Sequence, residues 1–105
     1  MADKPEVKVK KLIKAMFHKV GAYYTMPIGT GYGSSGVPDF LVCHRGRFIA
    51  VEAKAGNNHP TALQWKNLQD ITKAGGISLV INESNLHDLE RVLNADDTSN
   101  SEKAV

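Results

Sequence analysis

This sequence of 105 residues has little of several features that would indicate particular classes of protein. It contains one cysteine, Cys43, which excludes an intrachain disulfide and favours a reducing compartment such as the cytoplasm. With one cysteine and four scattered histidines, a zinc site is not expected. No apolar run approaches the ~20 residues of a membrane span. The lysine-rich N-terminus also lacks the apolar segment of a signal peptide.

The rest of the composition is that of an ordinary folded domain. Hydrophobic residues make up 42% of the sequence and charged residues 23%, and a chain of this length can bury one core. We predict one domain over residues 1–94 and a polar tail at 95–105 with no part in that core.

The net charge of +2 hides an uneven distribution. Residues 1–54 carry nine Lys/Arg against four Asp/Glu (+5), whereas residues 55–105 carry four against seven (−3). Six of the lysines lie within the first nineteen residues. Lys8 and Lys11 in this group are candidates for contacts with nucleic-acid phosphates, although a solvated helix face would also explain the cluster.

Hydrophobic periodicity and turn residues predict the element order αβββαβα. The predicted helices cover 6–20, 62–74 and 85–94, and the predicted strands cover 22–28, 37–44, 47–53 and 77–81. The second and third strands form a hairpin with Arg45-Gly46 as its loop, and the third and fourth are parallel because a helix joins them. Since the hairpin strands are apolar on both sides, we expect an α/β fold whose mixed sheet is covered by helices on both faces.

Several side chains are assigned from their positions on these elements. Leu12 falls on the apolar face of the first helix. Tyr23 and Cys43 are expected to pack in the sheet. Arg45 and Arg47, at the hairpin tip, are expected to be simple solvated charges.

Three charged residues on the predicted hairpin indicate chemistry. Glu52 and Lys54 are two apart on one strand and therefore share a face, and the register puts Asp39 opposite Glu52. Opposed carboxylates destabilise a sheet unless a cation lies between them, and two carboxylates, a backbone carbonyl and water suit Mg²⁺ or Mn²⁺. With Lys54 beside such a metal, the pattern indicates metal-assisted phosphodiester hydrolysis. An ordinary charged surface hairpin is the alternative.

A glycine-rich stretch at 31–36 matches G-x-G-x-x-G but is followed by a strand, so it does not fit a dinucleotide-binding turn, which requires a helix. We expect a loop that contacts DNA, with Ser34 and Ser35 as phosphate donors, or a plain connection. His59, beyond the third strand, is a further candidate for a phosphate contact.

Four sequence blocks in this order resemble the VRR-NUC (virus-type replication-repair nuclease) domain of the PD-(D/E)XK nuclease superfamily. They are Gly36–Phe40 (GVPDF), Val51–Ala55 (VEAKA), Pro60–Gln64 (PTALQ) and Ala74–Gly76 (AGG). The resemblance implies a restriction-endonuclease-like αβββαβα core and a Mg²⁺-dependent nuclease in which Mn²⁺ can substitute.

The same resemblance implies roles for individual residues. Asp39 and Glu52 would bind the metal together with the carbonyl of Ala53. Lys54 would position and activate the water, and Gln64 would orient Lys54 or a phosphate.

The first helix carries one more candidate. Related Holliday-junction resolvases use a glutamate there as a metal ligand, and Glu6 matches that place. A solvated carboxylate favoured by the helix dipole is an equal alternative.

The expected function is that of a structure-directed endonuclease for branched DNA such as Holliday junctions, in viral or prophage replication and repair. A homodimer is expected, because two copies would act on two strands and two-fold symmetry is the commonest. Two alternatives are a catalytically silent DNA-binding module on this fold and a sequence-specific restriction-type nuclease, for which no base-reading element is evident.

Overall fold

The structure is a computed structural model that describes residues 3–28 and 35–95. Its elements are α1 (Pro5–Val20), β1 (Tyr23–Thr25), β2 (Phe40–His44), β3 (Arg47–Ala53), α2 (Ala62–Lys73), β4 (Ile77–Ile81) and α3 (Leu86–Asn94). The predicted order and the α/β class are confirmed, although β1 and β2 are shorter than expected. Most of the predicted tail, from residue 96 on, lies outside the described residues. No helix in the described part of the chain has the length and apolarity needed to cross a membrane.

The four strands form one mixed sheet in the order β1-β2-β3-β4. Strands β2 and β3 pair antiparallel in the predicted register, from Phe40 opposite Val51 to His44 opposite Arg47. Their two-residue loop, Arg45-Gly46, has positive φ values of 53° and 75°, as the tightest hairpin turns require. Strands β3 and β4 are parallel, as expected from the intervening helix.

The main core lies between one face of the sheet and the helices α1 and α3. Phe17 of α1, Tyr24 of β1 and Phe40 of β2 form an aromatic cluster whose ring centroids are 4.9 to 5.8 Å apart. Leu12 is exposed, so its predicted place on the buried face is wrong. The helix residues buried in this core are Val9, Ile13, Phe17, Leu89, Val92 and Leu93.

Helix α2 packs on the opposite face of the sheet. It begins with a capping box, which the T-x-x-Q pattern from Thr61 to Gln64 predicts. Gln64 N–H donates to Thr61 Oγ1 (3.2 Å), and Thr61 N–H donates to Gln64 Oε1 (2.9 Å). Leu68 is buried, and its carbonyl accepts a hydrogen bond from Ser78 Oγ of β4 at 2.8 Å.

The expectation that helices cover both faces is wrong for the part of the sheet formed by β1 and β2. Tyr23, Cys43 and Phe48 are aligned across three strands on the face that carries α2. Tyr23 is 76% exposed, Phe48 is 47% exposed and Cys43 is also exposed. Helix α2 connects β3 to β4 and packs over the β3–β4 side of this face. The β1–β2 side of the same face is therefore left uncovered. Neither Tyr23 nor Cys43 is a core residue.

The two arginines of the hairpin tip hold the end of α3 and are not simple solvated charges. Arg47 is buried, and it donates to the carbonyls of Val92 (2.6 Å) and Leu93 (3.4 Å). Arg45 donates to the carbonyl of Asn94 at 3.0 Å. The last carbonyls of a helix lack intrahelical partners and carry partial negative charge, so guanidinium groups satisfy both needs there.

Candidate active site

The structure brings Asp39, Glu52 and Lys54 together at the end of the hairpin away from its loop. Glu52 lies on β3, Lys54 follows that strand directly, and Asp39 immediately precedes β2. The antiparallel pairing places the start of β2 beside the end of β3. Asp39 Oδ2 accepts a hydrogen bond from the backbone N–H of Ala53 at 2.8 Å, which fixes one side of this carboxylate.

Glu52 is the most buried charged group of the site, with a side chain only 3% exposed. Its Oε2 is 3.5 Å from Lys54 Nζ, whereas its Oε1 is buried without a hydrogen-bond partner among the described residues. Burial, and secondly the charge of Asp39, raise the pKa of Glu52 to about 7, against the attraction of Lys54. A buried oxygen without a partner is costly, so this carboxylate requires a proton or a cation.

Lys54 is held firmly beside Glu52. Its backbone N–H donates to the carbonyl of Ile81 at 3.0 Å, which extends the pairing of β3 with β4 by one residue. Its side chain is 13% exposed. The ammonium group is therefore fixed next to a carboxylate with little contact with water.

A residue that the sequence reasoning missed, Lys10, joins the site from α1. Lys10 Nζ lies 3.6 Å from Asp39 Oδ1 and 3.6 Å from Glu6 Oε2. Glu6 therefore contacts Lys10, which in turn contacts Asp39. The i,i+4 spacing of Glu6 and Lys10 was a signal for their own pairing, but nothing local linked α1 to the hairpin.

The donor set fits a hard divalent cation. Asp39 and Glu52 offer carboxylate oxygens, the ligands that Mg²⁺ and Mn²⁺ prefer. Glu52 Oε1 has no hydrogen-bond partner in the described part of the chain, so it can accept a metal ion without breaking a contact there. Within residues 3–28 and 35–95, no three His, Cys, Asp or Glu side chains cluster closely enough to hold a metal. The two carboxylates would thus need the Ala53 carbonyl and water as further ligands, and Mg²⁺ characteristically keeps several waters.

Gln64, predicted to orient Lys54 or a phosphate, lies in the first turn of α2. Its Oε1 accepts the N–H of Thr61 in the capping box. The amide NH₂ of Gln64 is the part of this side chain that can donate to a phosphate.

The predicted phosphate contacts are spread over several elements. Lys8, on α1, and His59, in the loop before α2, are exposed. Lys11 pairs with Asp3. Ser35 is exposed, while the prediction for Ser34 lies outside the described residues.

The segment before Asp39 is packed against the start of α2. Gly36 has a φ of +76°, and a Cβ atom there would lie 2.9 Å from the backbone of Leu63. Asn67 of α2 donates to the carbonyl of Ser35 at 3.0 Å. This close approach explains why glycine precedes Asp39 in the GVPDF block, and it connects the position of that carboxylate to α2.

The αβββαβα order thus places Asp39 and Glu52-Ala53-Lys54 at the open end of the β2–β3 hairpin. A solved structure described as "VRR_NUC domain protein" is similar to this chain, with a TM-score of 0.68 over 90% of this chain and 91% of that one. The two are 16% identical, so the likeness shows the fold, and the resemblance predicted from the sequence is confirmed at that level. No family model and no curated protein match the sequence.

Proposed function

We propose that this protein is a DNA endonuclease that depends on a divalent metal, Mg²⁺ or Mn²⁺. Glu52 is the observation that supports this most strongly. It is a buried carboxylate whose Oε1 has no hydrogen-bond partner among the described residues, and it lies beside Asp39 and Lys54 in a fold shared with a VRR_NUC domain protein. A buried carboxylate beside a second, partly buried one opposes folding, and groups perturbed in this way are concentrated at functional sites.

Each residue of the site has a separate role in the proposed phosphodiester hydrolysis. A cation bound by Asp39, Glu52 and the Ala53 carbonyl would supply positive charge that acidifies water and polarises the phosphate. Lys54 orients the attacking water and stabilises the negative charge that develops on the phosphate oxygens. The NH₂ of Gln64 donates to a phosphate oxygen. Water loses a proton to the solvent as it attacks phosphorus in line. The P–O3′ bond breaks and the 3′-oxygen takes up a proton, so the products are a 3′-hydroxyl and the 5′-phosphate that the VRR-NUC resemblance implies.

The proposed substrate is branched DNA, such as Holliday junctions or flaps, in viral or prophage replication and repair. Every helix and strand in the described part of the chain belongs to the αβββαβα core, so none forms a separate module for reading bases. Contacts with phosphates report the position and shape of DNA more than its sequence. Lys8 and Lys11 of α1, together with the exposed Ser35 and His59, are the proposed phosphate contacts.

We also propose that the protein acts as a homodimer. The bare sheet surface formed by Tyr23, Cys43 and Phe48 is exposed and largely apolar, and surfaces of this kind mark contacts between proteins. A second copy would cover it and bring a second active site to the other DNA strand.

A cleavage panel tests the proposal. Four-way junctions, flaps, splayed arms and linear duplex are incubated with the protein in Mg²⁺, in Mn²⁺ and in EDTA. We expect a branched substrate to be cut in either metal and none in EDTA. Asp39→Asn and Lys54→Ala should each lower the rate about 1,000-fold or more with unchanged circular dichroism, whereas Lys73→Ala, at the far end of α2, should cut normally.

The alternatives predict different results from the same panel. If the wild-type protein binds the DNA but cuts nothing in either metal, a DNA-binding module is the better interpretation. Cuts at one fixed sequence in linear DNA would favour a restriction-type nuclease.

A further inference from the structure

Lys10 occupies the oxygen of Asp39 that a metal would use. Asp39 Oδ2 already accepts the Ala53 N–H, and Lys10 Nζ lies 3.6 Å from Oδ1. The Lys10 side chain is 27% exposed. The Asp39 side chain is 21% exposed, so both members of this pair are partly buried and the contact is not a fully exposed surface pair.

A divalent cation and the Lys10 ammonium compete for this position. Both are attracted to the same carboxylate oxygen, and like charges a few ångströms apart repel each other. Glu52 presents no such conflict, because its Oε1 has no partner among the described residues. Binding of a metal across both carboxylates thus requires Lys10 to withdraw from Asp39.

Glu6 provides a second carboxylate partner for the Lys10 ammonium when it withdraws from Asp39. Glu6, one turn earlier on α1, already lies 3.6 Å from the same ammonium, and a lysine ammonium on its four-carbon stem can change partners readily. An ammonium held near Glu6 stays at the rim of the site, within reach of a DNA backbone that approaches the carboxylates.

The Lys10 charge gives the metal-loaded site a net positive charge, which favours binding of a phosphate. With all three carboxylates ionised, as above the pKa of Glu52, Glu6, Asp39 and Glu52 contribute three negative charges, and Lys10 and Lys54 contribute two positive ones. Addition of a divalent cation changes the sum from −1 to +1, which suits a phosphodiester. Without Lys10 the loaded site would be neutral.

We propose that Lys10 is a second active-site cation that exchanges partners. It neutralises Asp39 while the metal is absent, and it binds a substrate phosphate, opposite Lys54, once the metal has taken Asp39. The inference rests on the proposed nuclease function and deepens it by adding a substrate-binding residue on α1.

Two measurements on the full-length protein test the exchange. The first is the affinity for Mn²⁺ without DNA, measured by electron paramagnetic resonance of the free ion. The second is the single-turnover cleavage rate on a branched DNA at saturating Mn²⁺. The variants are Lys10→Met, Lys10→Arg, and the matched control Lys14→Met, which removes a lysine charge one turn further along the same helix.

We expect the two measurements to move in opposite directions for Lys10→Met. Mn²⁺ should bind about 3- to 10-fold more tightly, since a competing ion pair and a nearby like charge are removed. Cleavage should slow about 10-fold or more, since a phosphate contact is lost. Lys10→Arg should restore most of the cleavage rate, and Lys14→Met should leave the Mn²⁺ affinity unchanged.

Equal or weaker Mn²⁺ binding by Lys10→Met, or an unchanged cleavage rate, overturns the exchange, because a merely structural role for Lys10 would weaken both properties together. If the wild-type protein neither binds Mn²⁺ nor cuts DNA, the proposed nuclease function itself fails and this inference fails with it. If the wild type does both and Lys10→Met behaves like Lys14→Met, only the role of Lys10 is wrong.

Discussion

Replacing Glu52 by Gln is expected to stabilise the metal-free protein at pH 8, although the change removes a residue of the proposed active site. The wild-type protein must keep a carboxylate ionised at a position that is 3% exposed and close to Asp39. A neutral amide of similar size avoids that cost. The prediction concerns folding alone and can be tested without any DNA.

The magnitude follows from the pKa of Glu52, which rises from 4.5 to about 7 on folding. At 1.36 kcal/mol per pKa unit, the ionised group destabilises the folded state by about 3 kcal/mol at pH 8. That figure already includes the attraction of Lys54. A buried glutamine amide without hydrogen-bond partners costs about 1–2 kcal/mol of its own, so we expect a net gain of about 1–2 kcal/mol. For a domain of this size that corresponds to a rise in Tm of roughly 5–15 °C.

The sign of the pH dependence is fixed by the same shift. The folded protein binds this proton more tightly than the unfolded chain, so the favourable contribution of protonated Glu52 is fully present below pH 4.5. It is lost as the pH rises to about 7. The advantage of Glu52→Gln should therefore be largest at pH 8 and should nearly vanish at about pH 5.

Thermal unfolding in EDTA between pH 5 and 8.5, followed by circular dichroism, measures this difference. Glu90→Gln, at an exposed position of α3, removes the same charge and should change Tm little at either pH. In buffer without EDTA, free Mg²⁺ at about 100 times its Kd should raise the stability of the wild type by about 2.7 kcal/mol and leave Glu52→Gln unaffected. A Glu52→Gln protein that is no more stable than the wild type at pH 8, or a gain that is equally large at pH 5, would refute the reasoning.

Four further substitutions test other features of the fold. Arg47→Met should lower the free energy of unfolding by about 2–4 kcal/mol in urea titrations, because the carbonyls of Val92 and Leu93 lose their hydrogen bonds from a buried guanidinium group. Arg45→Met should cost less than 1 kcal/mol, and equal losses would contradict the capping role of Arg47. Gly36→Ala should lower the free energy of unfolding by about 1–3 kcal/mol and slow cleavage, because Gly36 has a φ of +76° and a Cβ atom there would meet the backbone of Leu63. Full activity with wild-type stability would show that this close approach is not rigid. Phe48→Glu should convert the proposed homodimer to a monomer in light scattering, and a dimer that persists would place the interface elsewhere.

The parts of the molecule that the sequence predicted are those that depend on neighbouring residues. The capping box at Thr61 and Gln64 and the register of the β2–β3 hairpin follow from local chemistry. A two-residue loop fixes the pairing of the strands on either side of it, and strand alternation then fixes which side chains share a face. The proximity of Asp39 to Glu52 could be predicted for that reason.

Tertiary structure decided what depends on contacts between elements distant in sequence. Lys10 reaches Asp39 only because α1 packs beside the open end of the hairpin, and Arg47 becomes a buried cap only because α3 ends at the hairpin tip. Phe48 alternates on β3 as a core residue would, yet it stays exposed because the crossover helix covers the other end of the sheet. Periodicity shows which face of an element is apolar, but whether anything packs on that face is settled only when the whole chain is folded.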